Sequence, residues 1–361
     1  MDPVKKDINS LDNNLLSIGG VSKSEEKNDD SSNEQSIKLE TQIPLLYLSD
    51  SNIDDMISLL MLLNNDSIKL IGISITPSDC EEEIGIEATS KILYLTGKKI
   101  PFCMGKEKGI HNFSQSQKDD ARNGIYLPDF LSIEEEKIKE IKKNLLSNKE
   151  PIDFIYEKIK ENDKVNILIT GPPIQLTETI KKYKNIKEKI GKICWMGGVI
   201  DIEGNTLNKR SEFNCAWNPY SSSELFNSKM EIYLFPLNAT NQVLVNREFL
   251  EQLSKQKNYQ ISYLTSQLLA TVFFMDYTGG NDNYYCWDML ATSFFGCKDL
   301  CSFKEMELDV IKEGDEDGKI IKVKNSGNWI FVADKVNVGN FRNFFFNSLK
   351  FNFWDYNNVK G

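Results

Sequence analysis

From residue 43 onward, apolar positions recur along this chain with two alternating periods. Residues 43–48 form a short apolar run that fits a buried strand. After a turn, Ile53, Met56, Ile57, Leu60 and Leu63 follow at the spacing of one helix face. Residues 70–75 predict a second buried strand, 82–95 a helix ending at Thr96-Gly97, and 98–104 a third strand. Strand, helix, strand, helix in this order marks parallel α/β architecture. Residues 106–150 are more polar and predict a long loop with one charged helix over 132–146. The alternation resumes with strands at 165–169, 192–196 and 232–235 and a helix at 175–184. A long helix over 247–277, a further element at 287–295, a hairpin or edge strands within 320–332 and a closing helix within 341–354 complete the pattern. With no internal repeat and no clean linker, the expected fold is a single α/β domain over residues 41–361. Its open, mostly parallel sheet is flanked by helices. Residues 1–40 are mostly Asp, Glu, Lys, Asn and Ser, and a disordered polar tail is expected there.

Composition changes this picture mainly by exclusion. The net charge is -10 and the pI about 5.0, whereas a nucleic-acid partner would require a basic face. The seven cysteines are irregularly placed with no CxxC pair, and residues 1–20 lack a signal-peptide pattern. Reduced thiols and a cytoplasmic location are expected. No apolar run reaches the ~20 residues that span a bilayer, so no membrane partner is expected. His111 is the single histidine. Multi-histidine metal sites are therefore impossible, and the chemistry falls to carboxylates, with any metal held by oxygen.

The candidate chemistry begins where the first strand turns into the first helix. Asp50, Asp54 and Asp55 sit within six residues there, at the sheet edge where α/β folds bind ligands. Asp54 and Asp55 also suit the first turn of a helix, whose dipole favours negative charge, so capping alone is the plainer explanation. Asp50 goes beyond capping, because three converging carboxylates repel one another unless a cation joins them. A phosphatase-like magnesium loop would want a nucleophilic Asp two residues before a second one, and position 48 is Leu.

Five segments then appear in a recognisable order. Leu48-Ser49-Asp50-Ser51-Asn52-Ile53-Asp54-Asp55 resembles the DxDxxxDD motif of the nucleoside hydrolases. Ile75-Thr76-Pro77-Ser78-Asp79-Cys80 resembles the loop after their second strand, and Ile169-Thr170-Gly171-Pro172 their TGP turn. Met196-Gly197-Gly198, Gly204-Asn205 and Glu212-Phe213-Asn214 resemble the family's MGG, GN and EFN block. Tyr284-Tyr285-Cys286-Trp287-Asp288 resembles the YY-x-WD segment of the purine-preferring branch.

The resemblance implies a calcium ion held by Asp50, Asp55, the Thr170 carbonyl and Asp288. It makes Asp50 the general base that activates water. Asn52, Asp54, Asn205, Glu212 and Asn214, with Met196, would grip the ribose, Asp79 would lie near the sugar or base, and Trp287 would stack on a purine. The implied activity is hydrolysis of purine ribonucleosides to ribose and free base, and the implied assembly is a homo-oligomer, dimer or tetramer. Those roles fit the residue types: a cation orients and acidifies water, a carboxylate removes its proton, and negative charge stabilises a ribosyl cation.

Three departures stand out. Leu48 replaces the motif's first Asp, Ser51 stands where Pro or Gly is usual, and Gln117 falls near the place of a second stacking Trp. Phe113 and Tyr284 are candidates to replace that ring, and Asn208-Lys209-Arg210 looks like a shortened loop. Two other functions stay open: a nucleoside-binding paralogue with weak or no hydrolysis, and a non-enzymatic interaction protein using the acidic tail.

Overall fold

Residues on β1 (Ile43–Ser49) alternate between two cores: Leu45 and Tyr47 belong to one apolar cluster, Leu46 and Leu48 to the other. A strand buried on both faces needs helices on both sides, the arrangement of parallel sheets. The computed structural model describes residues 42–272 and 284–354. The expected tail of residues 1–40 and the last residues of the expected 247–277 helix lie outside the described residues.

After β1 the chain forms α1 (Ile53–Leu63), β2 (Ile68–Ile75), α2 (Glu82–Thr96) and β3 (Phe102–Met104). Three helices follow, α3 (Gln115–Tyr126), α4 (Glu135–Leu145) and α5 (Pro151–Lys160). Next come β4 (Val165–Ile169), α6 (Ile174–Lys182), β5 (Ile190–Met196), α7 (Phe213–Trp217), α8 (Pro219–Phe226), β6 (Ile232–Phe235) and α9 (Leu237–Thr240). Short β7 (Leu244–Val245), α10 (Arg247–Ser254) and α11 (Gln260–Val272) precede β8 (Tyr284–Tyr285) and α12 (Trp287–Thr292). The described chain closes with β9 (Cys301–Val310), β10 (Ile320–Lys322), β11 (Trp329–Val336) and α13 (Val338–Ser348).

Among the described residues, nine strands form one sheet in the order β10-β9-β11-β6-β5-β4-β1-β2-β3, and β7 pairs with β8 apart from it. Within the nine-stranded sheet only the two pairings of β9 are antiparallel, as is the separate β7–β8 pair. The expected open, mostly parallel sheet is therefore present. Among the described residues, no helix is long and apolar enough to cross a membrane.

Several elements differ from expectation for local reasons. In the stretch expected as loop, α3 starts from a capping box in which Ser114 and Gln117 exchange hydrogen bonds. Its apolar residues are too few to make a stripe. The start of α5 carries Pro151 in the first turn, the position where proline's missing N–H costs nothing. The long helix expected from 247 is broken, because residues 255–259 are polar and the N–H of Gln260 is capped by Asn352 Oδ1 at 2.9 Å. That cap comes from 92 residues away, so no local pattern announces it.

Candidate active site

From β1 the chain steps outward through β2 to β3, then returns to the other side of β1 as β4. The loops after β1 and β4 thus diverge, and a crevice opens beyond their carboxyl ends, the usual ligand position in open α/β sheets. Asp50 follows β1, and Thr170 follows β4. A Cβ at Gly171 would lie 3.1 Å from that of Asp50, so any side chain there would press on the Asp50 loop.

The loop after β1 is held tightly. Ser51 has φ +60, the left-handed region, and its N–H donates to Ser49 Oγ at 3.0 Å. Such backbone conformations cluster where function over-determines the chain. Asn52 caps α1, its Oδ1 accepting from the Ile53 N–H at 2.7 Å. Asp55 completes the box by accepting from the Asn52 N–H at 3.1 Å. Asp55 also accepts from Thr170 Oγ1 at 2.6 Å and Tyr47 Oη at 3.0 Å. Capping and site-building are therefore not alternatives at this carboxylate, which does both.

Carboxylate oxygens of Asp54, Asp55 and Asp288 all lie within 4.8 Å of one another. None of the three makes an ion pair with Lys, Arg or His among the described residues. Burial pushes the Asp288 carboxyl well up, with the charges of Asp54 and Asp55 adding to it. Burial and then Asp55 push Asp54 up to about 7. Asp50 is also raised, by burial first and Asp55 next, while Ser78 Oγ donates to its Oδ2 at 2.8 Å and opposes the shift. Buried, mutually repelling carboxylates with oxygen-only donors fit a hard divalent cation. Of the set expected to hold the metal, Asp55 and Asp288 are in this triplet with Asp54. Asp50 stands beside it, tied to Ser78.

A cavity of about 520 Å³ opens over this cluster, lined by Asp50, Asn52, Asp54, Asp79, Thr170, Met196, Asn205, Glu212, Asn214, Trp287 and Asp288. Asp55, expected at the site, lies beneath its floor and is 2% exposed. The hydrogen bonds sort the free groups. Asn214 Nδ2 donates to the carbonyls of Thr170 at 2.9 Å and Met196 at 3.2 Å, leaving Oδ1 to accept from a ligand. Asn205 Oδ1 accepts from the Phe213 N–H at 3.1 Å, leaving its NH2 to donate. Asn52 Nδ2 donates to Asp79 Oδ2 at 2.5 Å. Glu212 caps α7 and takes the N–H groups of Gly198, Asn214 and Cys215, so part of its role is to hold the loop in place. Burial raises its carboxyl, and those N–H bonds oppose the rise.

Sequence reasoning missed part of this wall. Ser78, in the loop after β2, holds Asp50 through its Oγ, a role no motif assigns to it. Asn241 and Leu237, just beyond the carboxyl end of β6, line the cavity, as do Glu203, Thr206, Leu207, Lys209 and Tyr285. The position of Asn241 after a strand end was a usable signal. The loop residues 203–209 carry no motif beyond Gly204-Asn205. Of the two candidates to replace the second ring, Phe113 lines the cavity and stacks on Phe213 with centroids 4.8 Å apart. The other, Tyr284, instead packs edge-on against Trp287. Gln117 lines the cavity while bonding Ser114.

Fold and site together define an α/β domain with a carboxylate-floored, amide-rich and aromatic-walled pocket at its switch point, a class suited to small polyhydroxylated ligands. The family model described as inosine-uridine preferring nucleoside hydrolase matches residues 48–343, and the chain belongs to that family. It is 21% identical over 234 residues to probable uridine nucleosidase 2 of Oryza sativa subsp. japonica, covering 62% of this chain and 65% of that protein. It is 25% identical over 167 residues to a probable ribonucleoside hydrolase of Dictyostelium discoideum, covering 45% of this chain and 48% of the other. The chain thus spans less than two thirds of these curated relatives. The fold is that of the nucleoside hydrolases. The inosine-uridine preferring nucleoside hydrolase of Bacillus anthracis superimposes with a TM-score of 0.75 at 25% identity, covering 86% of this chain and 99% of that one. The purine-preferring ribonucleoside hydrolase of Gardnerella vaginalis gives 0.71 at 22% identity, with 85% and 98% covered.

Proposed function

We propose that this protein hydrolyses the N-glycosidic bond of purine ribonucleosides, with calcium as its metal. The observation that carries this is the convergence of residues from five separate segments on one cavity above a carboxylate cluster. Asp54, Asp55 and Asp288, with Asp50 and the Thr170 carbonyl beside them, would hold the ion. A bound calcium ion supplies a positive seat that orients water and lowers its pKa.

The remaining steps belong to the chain. Asp50 takes the proton of the attacking water, with Ser78 donating to its Oδ2 at 2.8 Å and holding the carboxylate in place. The oxygen of water bonds to the anomeric carbon as the C–N bond breaks, the electron pair leaves with the base, and the base takes up a proton from solvent while Asp50 later returns its proton to solvent. Positive charge developing on the ribosyl ring is stabilised by the surrounding carboxylates. Asn214 Oδ1 and the Asn205 NH2 offer an acceptor and a donor to the sugar diol, and Asn52, Asp54, Asp79, Glu212 and Met196 complete that end. Trp287 covers the base.

The domain at 41–361 acts on this proposal as one catalytic unit, preceded by a tail at 1–40. Cytoplasmic location and assembly as a dimer or tetramer accompany the proposal. A nucleoside-binding protein with weak or no turnover is the second reading, favoured by Gln117 standing near the place of a second stacking ring. A reducing-sugar assay over a nucleoside panel, with calcium and with chelator, separates the two. Ribose release from inosine or guanosine that chelator abolishes is expected. Nucleoside binding by calorimetry with no ribose release at high protein concentration would select the binding protein instead.

A further inference from the structure

We propose that Asn241 reads the nucleobase, holding the Trp287 indole with its carbonyl oxygen while its NH2 donates to an acceptor on the base, so that 6-oxopurine nucleosides are preferred to 6-aminopurine ones. This rests on the nucleoside site proposed above and adds the chemistry of base selection.

Asn241 follows β6 and α9, and its N–H closes that helix on the Leu237 carbonyl at 3.0 Å. Its side chain lines the same cavity as Trp287. Trp287 Nε1 lies 3.1 Å from Asn241 Oδ1. An indole N–H can only donate, so the atom facing it must be the carboxamide oxygen. That one bond fixes which way the amide points. The NH2 makes no hydrogen bond among the described residues, so it is the end of the side chain left to address a ligand. A base stacked on Trp287 also lies beside the residue that grips that ring's N–H edge.

The donor then decides among bases. Hypoxanthine and guanine present two adjacent acceptors, O6 and N7, which match the two N–H bonds of a carboxamide. Adenine presents N7 beside an N6–H2 donor, which would face another donor. A site that donates to a substrate acceptor rejects an analogue lacking it, because its own polar group is left unpaired.

The test measures binding of inosine and of adenosine by calorimetry, with ribose release followed in parallel, for the calcium-loaded protein and for Asn241→Asp. The variant keeps an oxygen for the indole N–H and the side-chain size but loses the donor. Wild type is expected to bind inosine at least about tenfold more tightly than adenosine, the ratio set by one hydrogen bond of ordinary strength. Asn241→Asp should bring that ratio to unity or below, chiefly by weakening inosine, and Asn241→Leu should weaken both ligands by freeing the indole. A wild-type ratio near unity, or one that Asn241→Asp leaves unchanged, overturns the proposal. The wild-type ratio alone decides the case if a variant fails to fold. A selective ratio without ribose release keeps the base reader and removes the hydrolase. Ribose release with an unselective ratio does the reverse, and binding of neither purine overturns both.

Discussion

The two ends of the cavity are built by opposite means. Its floor consists of side chains at the ends of β1 and β4 and the start of α12, all buried, with Asp55 taking bonds from Tyr47, Asn52 and Thr170. Its rim at residues 203–209 is a loop held mainly by its own bonds, such as the Gly204 N–H to the Lys209 carbonyl at 2.8 Å. At the tip of that loop Leu207 is 102% exposed. A rigid floor suits chemistry, which needs atoms held to fractions of an ångström. An exposed rim suits selection among ligands, because loops change shape and sequence at little cost to the core.

The sharpest way to break this division is at Asp50. Asn in its place keeps an oxygen for Ser78 but no longer takes a proton. Ribose release should fall about 10²–10⁴-fold, the range for loss of a general base, with little change in KM. Full activity in Asp50→Asn would mean that the floor does not do the chemistry.

Leu48 shows how far the floor depends on its surroundings. By motif alone it is a missing Asp, yet the side chain is 1% exposed and belongs to the apolar cluster containing Cys103, Ile169 and Trp195. Restoring the motif with Leu48→Asp would bury an unpaired carboxylate. We expect a loss on the order of 3 kcal/mol in chemical denaturation, and lower rather than higher activity. Unchanged stability with a gain in turnover would show that the floor still has room for the family's charge.

What the sequence made legible follows the same line. Asp50, Asp55, Thr170 and Asp288 each sit at or next to the end of a strand or the start of a helix, so period and motif locate them together. The sheet was legible for the same reason, from the double-sided burial of its central strands. Leu207 was not, because its loop is held by its own bonds and carries no apolar period, and the place of Asn241 after β6 does not announce its bond to Trp287, 46 residues away. The same holds for the Asn352 cap that divides α10 from α11, and for β9, a partly exposed antiparallel strand. Gln117 shows the limit of motif matching: it lines the wall near the expected ring position, but the Ser114-x-x-Gln117 spacing spends its amide oxygen on capping α3.

A gentler probe of the floor uses protons. With the metal removed, the Asp50, Asp54 and Asp288 carboxyls are raised above their unfolded value of about 4. The folded chain then holds protons that the unfolded chain has released. For a raised carboxyl the stabilisation is full below pH ~4 and is lost as pH rises through the folded value, about 7 for Asp54. Calcium competes with those protons, so its binding should release them. The gain in Tm on replacing chelator with calcium should therefore be small near pH 5 and widen toward pH 7.5. A gain independent of pH would remove the cation from this cluster.

The smallest effect is expected at the rim. Leu207 touches no core, so Leu207→Ser should leave stability within roughly 0.5 kcal/mol of wild type. Yet it lines the cavity, and a bound base would cover part of a side chain that is otherwise fully in water. Full burial of a leucine contributes about 2 kcal/mol, and partial cover about half of that. Nucleoside affinity should then fall about fivefold, with kcat unchanged because the floor is untouched. A fall in kcat without a change in affinity would tie the loop to the chemical step and dissolve the division between floor and rim.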